Sequence, residues 1–198
     1  MPLQRLFDLA VAIPLALVVL PVCALLLVAI RLESPGNPLF VQTRVGKGRQ
    51  PFAMLKLRTM RSGTANVASH EVGAASITGL GGWLRRLKLD ELPQLWNVLV
   101  GHMSLVGPRP CLPNQHELVA EREKRGIFAL RPGVTGPAQI AGIDMSEPKR
   151  LASYEADYFT VQRPFGDIRL LVSTALGGGR GDAVTAARDP AREQPRDG

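Results

Sequence analysis

Residues 9–30, LAVAIPLALVVLPVCALLLVAI, contain no charged side chain. As one helix they extend roughly 33 Å, enough to cross a hydrocarbon core of about 30 Å, so a membrane segment is expected. A cleaved signal fits poorly. The stretch exceeds an ordinary h-region, no A-x-A site follows it, and bulky Val22 precedes Cys23 where lipoprotein cleavage wants a small residue. Pro21 removes a backbone hydrogen bond and divides the run into parts of about 18 Å and 14 Å, each near half a bilayer. Arg5 lies before the run and Arg31, Arg44, Lys47 and Arg49 after it, so the positive-inside bias places both flanks in the cytoplasm. A helix-break-helix hairpin that enters and leaves on one face meets both conditions. A kinked spanning helix stays open beside it, because prolines are tolerated in membrane helices.

The 198 residues suffice for one domain with a core. The excess of 24 Lys plus Arg over 17 Asp plus Glu gives +7, and the charge-balanced stretch 177–198 contributes none of it. The rest therefore favours polyanions, whether nucleic acid, anionic lipid or a phosphorylated small molecule. Aromatic residues make up 5% and never interleave with Arg or Lys, which argues against a nucleic-acid stacking platform. Cys23 and Cys111 form neither a disulfide framework nor a metal spacing.

The turn cluster SPGNP, 34–38, ends the membrane element. LFVQTRVG and PFAMLKLRTM read as two strands joined by GKGRQ. Residues 62–82 read as a mobile loop, and DELPQLWNVLVG as a helix with Asp90 at its N-cap. GPRP, 107–110, and RPGVTG, 131–136, read as turns; 113–130, 147–162 and 165–176 read as helices; and 177–198 lacks apolar residues to bury and reads as disordered. The expected fold is α+β, mainly helical, with a membrane element over 1–33, a small domain carrying a β-hairpin over 34–176, and a tail over 177–198.

The chemistry concentrates at LKLDELPQLWNVL, 87–99, where Asp90 and Glu91 follow Arg85, Arg86 and Lys88. A helix start and nearby cations keep Asp90 ionised, and an ionised carboxylate is a competent nucleophile toward phosphorus. Lys56, Arg58, Arg109 and Arg131 lie at turns or strand ends from which they can converge on phosphate. Arg109, between two prolines, is frozen at an entropic cost a solvated arginine does not need. A hard metal such as Mg²⁺ suits one or two carboxylates plus substrate phosphates. The competing reading is ordinary helix capping on a solvated charged face.

KLRTM, LRRLKLDELPQLWNVL, MSLVGPRP and RPGVTGPAQIAG, in this order after a proline-broken apolar N-terminus, resemble the monotopic phosphoglycosyl transferases, the bacterial sugar transferase family. The resemblance runs from about Gln4 to Leu176. It implies transfer of a phosphosugar from a UDP-sugar to a polyprenyl (undecaprenyl) phosphate through a covalent aspartyl intermediate, with release of UMP, at the start of bacterial glycan assembly. It implies Asp90 as nucleophile and Glu91 as its partner, with Mg²⁺ at Asp90. Lys56, Arg85, Arg109 and Arg131 are implied as phosphate ligands, and Pro21 as the break of a re-entrant helix at the cytoplasmic face of the inner membrane. AGIDMSEP, 141–148, departs from the family's Asn-Gly-Arg form, so Asp144 and Met145 are expected to help choose the sugar. A metal-only transferase without covalent intermediate, and an inactive membrane scaffold, are the alternatives. The sequence names neither the sugar nor the pathway, and it leaves a homodimer open.

Overall fold

The computed structural model describes residues 2–63, 76–160, 166–176 and 178. Its first element is a single helix, α1 (Pro2–Glu33), which runs through both Pro14 and Pro21. Among the described residues it is the one helix long and apolar enough to cross a membrane. The helix continues through Pro21, and the re-entrant hairpin expected there is not confirmed. An interior proline costs about 3 kcal/mol, and packing on the opposite face offsets that cost. Both prolines are exposed, while Ala12 and Ala16 flank Pro14 and Val19 and Cys23 flank Pro21, all four buried against Phe52, Met54, Leu95, Val98, Met103 and Leu105. The spacing of three and four puts this small-residue stripe on one helix face.

The ends of α1 are fastened too. Arg5 donates to the carbonyls of Val98 and Leu99, and Asp8 accepts from Ser104 Oγ at 2.9 Å and Leu105 N at 3.0 Å. At the far end Ile30 packs with Leu57 and Leu84, and Glu33 accepts from Leu80 N at 2.8 Å. The outer face, with Leu6, Ile13, Leu17, Leu20, Leu25 and Val28, is left exposed.

Strands β1 (Leu39–Val45) and β2 (Pro51–Leu57) form the expected antiparallel hairpin, with Leu39 opposite Leu57 and Val45 opposite Pro51. Gly48, at φ 62°, lets the connection 47–49 close tightly. Alternation puts Gln42 and Arg44 of β1 beside Phe52, Met54 and Lys56 of β2 on the buried face.

Part of the loop expected over 62–82 is helical, because α2 (Gly79–Arg86) starts where Thr78 Oγ1 caps Gly81 N at 3.0 Å. Residues 64–75 of that expectation, with His70, lie outside the described residues. Gly81 is required by contact: a Cβ there would stand 2.1 Å from the Thr59 carbonyl oxygen. Helix α3 (Gln94–Leu99) then leads to β3 (Ser104–Val106), which pairs in parallel with β4 (Gly133–Thr135). The glycines of GPRP and RPGVTG touch through their backbones, since a Cβ on Gly133 would come 2.1 Å from Gly107 N.

The helix expected over 113–130 is shorter: α4 (His116–Lys124) ends before Gly126 at φ 68°, and a 3₁₀ turn follows at 127–129. A short α5 (Pro137–Ile140), then α6 (Pro148–Thr160) and α7 (Gly166–Ala175), complete a mainly helical α+β fold. A second core gathers Val45, Cys111, Leu118, Phe128, Ala138, Ile143 and Leu151. Both cysteines are free and buried. Of the expected tail, all but 178 lies outside the described residues.

Candidate active site

The two carboxylates sit in a 3₁₀ turn, Leu89–Glu91, whose N-cap is Lys88 in the left-handed region at φ 57°. α3 starts only at Gln94, so Asp90 is not its N-cap as the sequence suggested; the pair lies one turn earlier. The proline at 93 explains the shift. It has no N–H to give a continuous α ladder, and the chain crosses that point with 3₁₀ bonds, Leu92 N to Leu89 O at 3.2 Å and Leu95 N to Leu92 O at 3.1 Å.

Asn97 sets the distance between this turn and the hairpin. Its Oδ1 accepts from Leu55 N at 3.0 Å and its Nδ2 donates to Ala53 O at 2.7 Å, so the side chain pairs with β2 as a neighbouring strand would. That clamp places Lys56 against the carboxylates. Lys56 Nζ lies 3.2 Å from Glu91 Oε1, and Arg109 Nη2 lies 3.9 Å from the same oxygen. Asp90, next along the turn, is buried.

A small pocket opens over Glu91, lined also by Arg44, Lys56, Gln94, Arg109 and Val134. Arg44 and Gln94 were not expected there. Arg44 is held by Gln42 Oε1, 3.0 Å from Nε and 2.6 Å from Nη2, and donates to Pro110 O at 3.1 Å. The period-two alternation of LFVQTRVG, which puts Gln42 and Arg44 on the inward face, was the signal that could have found it.

The remaining candidates divide. Arg85, in the last turn of α2, donates Nε to Thr59 Oγ1 at 2.8 Å, while its buried Nη1 has no hydrogen-bond partner among the described residues. A buried unpaired guanidinium nitrogen is costly and suits a site that receives an anion. Arg58 is committed elsewhere. It donates to Ser34 O at 2.7 Å, Ser34 Oγ at 2.8 Å and Pro35 O at 2.9 Å, clamping the turn after α1. Arg131 donates Nε to Gly101 O at 2.9 Å and is absent from the pocket lining. Asp144 is exposed and accepts from Ser146 N at 2.8 Å, which shapes the turn ahead of α6. Pro21 lies on the outer face of α1.

Asp90 and Glu91 offer oxygen donors, which suit a hard divalent cation that also takes substrate phosphates. Glu91 Oε1 already faces two cations.

The bacterial sugar transferase family matches residues 1–178. The chain belongs to that family. A Caulobacter vibrioides relative named UDP-glucose:undecaprenyl-phosphate glucose-1-phosphate transferase is 38% identical over 180 residues, covering 86% of this chain and 67% of the relative. An undecaprenyl-phosphate glucose phosphotransferase of Komagataeibacter xylinus is 40% identical, over 70% of this chain and 28% of its own length. An exopolysaccharide production protein of Rhizobium leguminosarum is 41% identical, over 71% of this chain and 74% of its own. The sugar transferase match therefore spans most of some relatives and about a quarter of another.

Proposed function

We propose that this sugar transferase moves a sugar phosphate from a UDP-sugar to undecaprenyl or a similar polyprenyl phosphate, through a covalent intermediate on Asp90. The observation that carries the reading is the Asp90–Glu91 turn beside a pocket, with Lys56 Nζ 3.2 Å and Arg109 Nη2 3.9 Å from Glu91 Oε1 and Arg44 in the same lining. Relatives named for transfer to undecaprenyl phosphate support it.

In the first step an Asp90 carboxylate oxygen attacks the sugar-bearing phosphorus. The bond from that phosphorus to the bridging oxygen breaks, and UMP leaves with the oxygen. In the second step a phosphate oxygen of the lipid attacks the same phosphorus and displaces Asp90, giving a polyprenyl diphosphate sugar. Lys56 and Arg109 bind and orient the donor phosphates while holding Glu91 in place, and Arg85 meets the charge that arrives beside the turn. Asp90 is the carboxylate to hold Mg²⁺, which supplies neutralisation of phosphate charge when bound.

The outer face of α1 and the half-exposed Trp83 and Trp96 fit a seat at a lipid surface, where indole rings favour the interface. We place the protein at the cytoplasmic face of the bacterial inner membrane, where a cytosolic donor and a lipid acceptor meet.

The test is the intact mass of detergent-purified protein mixed with Mg²⁺ and a panel of UDP-sugars without acceptor, wild type beside Asp90→Asn. The expected result is a phosphosugar gain in wild type alone and a fall in turnover of at least about 10⁴-fold in the variant. UMP release that needs acceptor, with no mass gain, would point to a metal-only transferase; no release from any donor would point to a scaffold.

A further inference from the structure

Behind Arg109 lies an arrangement that the reaction as described leaves unused. Arg122 on α4 and Glu155 on α6 form a two-toothed ion pair, Nε to Oε2 at 2.9 Å and Nη2 to Oε1 at 2.7 Å. Both side chains are almost wholly buried, at 2% and 1% exposure. The same two residues also hold the peptide of Arg109: Arg122 Nη1 donates to its carbonyl oxygen at 2.8 Å, and Glu155 accepts from its N–H. The Arg109 peptide thus has both of its polar groups bonded to one buried pair.

The neighbours of Arg109 are held by other contacts, with Cys111 in the second core and the Pro108 carbonyl accepting from Gly133 N at 2.9 Å, whereas the main-chain groups of Arg109 itself fall to the pair. A second small pocket, lined by Gly46, Pro108, Arg122, Phe128, Leu130 and Pro132, shares Arg109 and Pro110 with the one over Glu91. The flanking prolines, 108 and 110, lack an N–H to donate and are seated only through their carbonyls, which accept from Gly133 N at 2.9 Å and Arg44 Nη1 at 3.1 Å. A buried ion pair is also weak as a source of stability, since apolar residues of similar size commonly serve as well or better. What the pair does beyond stability is hold the main chain of Arg109.

We infer that Arg122 and Glu155 are positioning residues, which aim Arg109 into the pocket over Glu91 by fixing its peptide from behind. The inference rests on the reading of Arg109 as a ligand of the donor phosphates. Arg109 Nη2 stands 3.9 Å from Glu91 Oε1, and its side chain, 22% exposed, lines the pocket over Glu91. A displacement of about 1 Å in such a group can cost about 100-fold in rate.

The test uses the full chain in detergent with Arg122→Met and Glu155→Leu combined, so that neither charge is left buried alone. The expected result is a folded protein whose kcat/KM for UMP release falls about 100-fold. In an Arg109→Ala background the same double change should matter by less than about twofold. Equal losses in both backgrounds would show a general structural role and overturn the inference. Arg122→Lys, which keeps the charge but cannot bond two carboxylate oxygens and a carbonyl at once, should reproduce the loss if the double variant does not fold.

Hydrogen exchange supplies a readout free of the reaction. The segment 107–112 should exchange about tenfold faster in the variants while α1 and α3 keep their protection. Unchanged exchange at 107–112 overturns the inference whatever the substrate. Wild-type protein that releases no UMP from any donor overturns the functional reading instead, and exchange still decides the positioning.

Discussion

The molecule holds two clusters of acid and base that look alike as lists of residues and differ as physical objects. Around Glu91 the contacts are 3.2 and 3.9 Å, the cations outnumber the carboxylates, and a pocket adjoins. Around Glu155 the contacts are 2.7 and 2.9 Å, two-toothed, one anion to one cation, and almost sealed from water. The open cluster borders a pocket and can meet a ligand there. The closed one is satisfied internally, so its effect on the outside world passes through the backbone it grips.

The largest effect that can break this contrast comes from removing one acid from each cluster. Glu155→Leu leaves the Arg122 guanidinium buried without its partner and should lower unfolding free energy by about 3–5 kcal/mol. Glu91→Gln keeps an amide oxygen for the largely buried Lys56 and should cost less, about 1–3 kcal/mol, while slowing turnover. Urea unfolding of both variants in one detergent makes the comparison, and equal losses would erase the distinction between the clusters. A middle effect sharpens it at Arg85. Gly81→Ala puts a methyl group on the Thr59 carbonyl and forces α2 away from β2, which should cost about 1–3 kcal/mol and lower donor affinity together. Loss of stability with donor affinity intact would separate Arg85 from the site.

The smallest effect comes from a third cluster at the end of α4. Hydrogen bonds from Lys124 and Arg125 hold Glu121 below its ordinary carboxylate value of 4.5. A lowered folded value means stability that is present above about the ordinary value and lost as pH falls through the lowered one. Melting curves of wild type and Glu121→Gln should therefore differ near neutrality and converge in acid; a gap that widens in acid would reverse the sign.

Much of the scaffold was legible because local chemistry dictated it. LFVQTRVG and PFAMLKLRTM alternate, GKGRQ can turn, and the hairpin follows. Asp90 and Glu91 stood out because two acids inside a basic run are conspicuous at any fold. Arg109 carried the added sign of its flanking prolines, but nothing local set Arg58 aside from the phosphate candidates, since it too is a cation at an element's edge. Only the tertiary fold shows Arg58 spent on the Ser34 and Pro35 carbonyls. Arg44 was hidden for the opposite reason, read as a flank charge beside the membrane run although its strand face pointed inward. The glycines before Trp83 suggested looseness, whereas Gly81 answers to a close backbone approach. Arg122 and Glu155, 33 positions apart on separate helices, leave no local trace at all.

The stripe of Ala12, Ala16, Val19 and Cys23 has a consequence in time. Its partners Leu95, Val98, Met103 and Leu105 are encoded some eighty residues later. At a synthesis rate of about 5–20 residues per second, α1 is made several seconds before the surface that covers its inner face exists. Through that interval most of the inner face of the helix is apolar and uncovered, with Phe52 and Met54 the partners already made. The nascent chain therefore needs a lipid surface or a chaperone at its first helix before the rest of the protein can claim it.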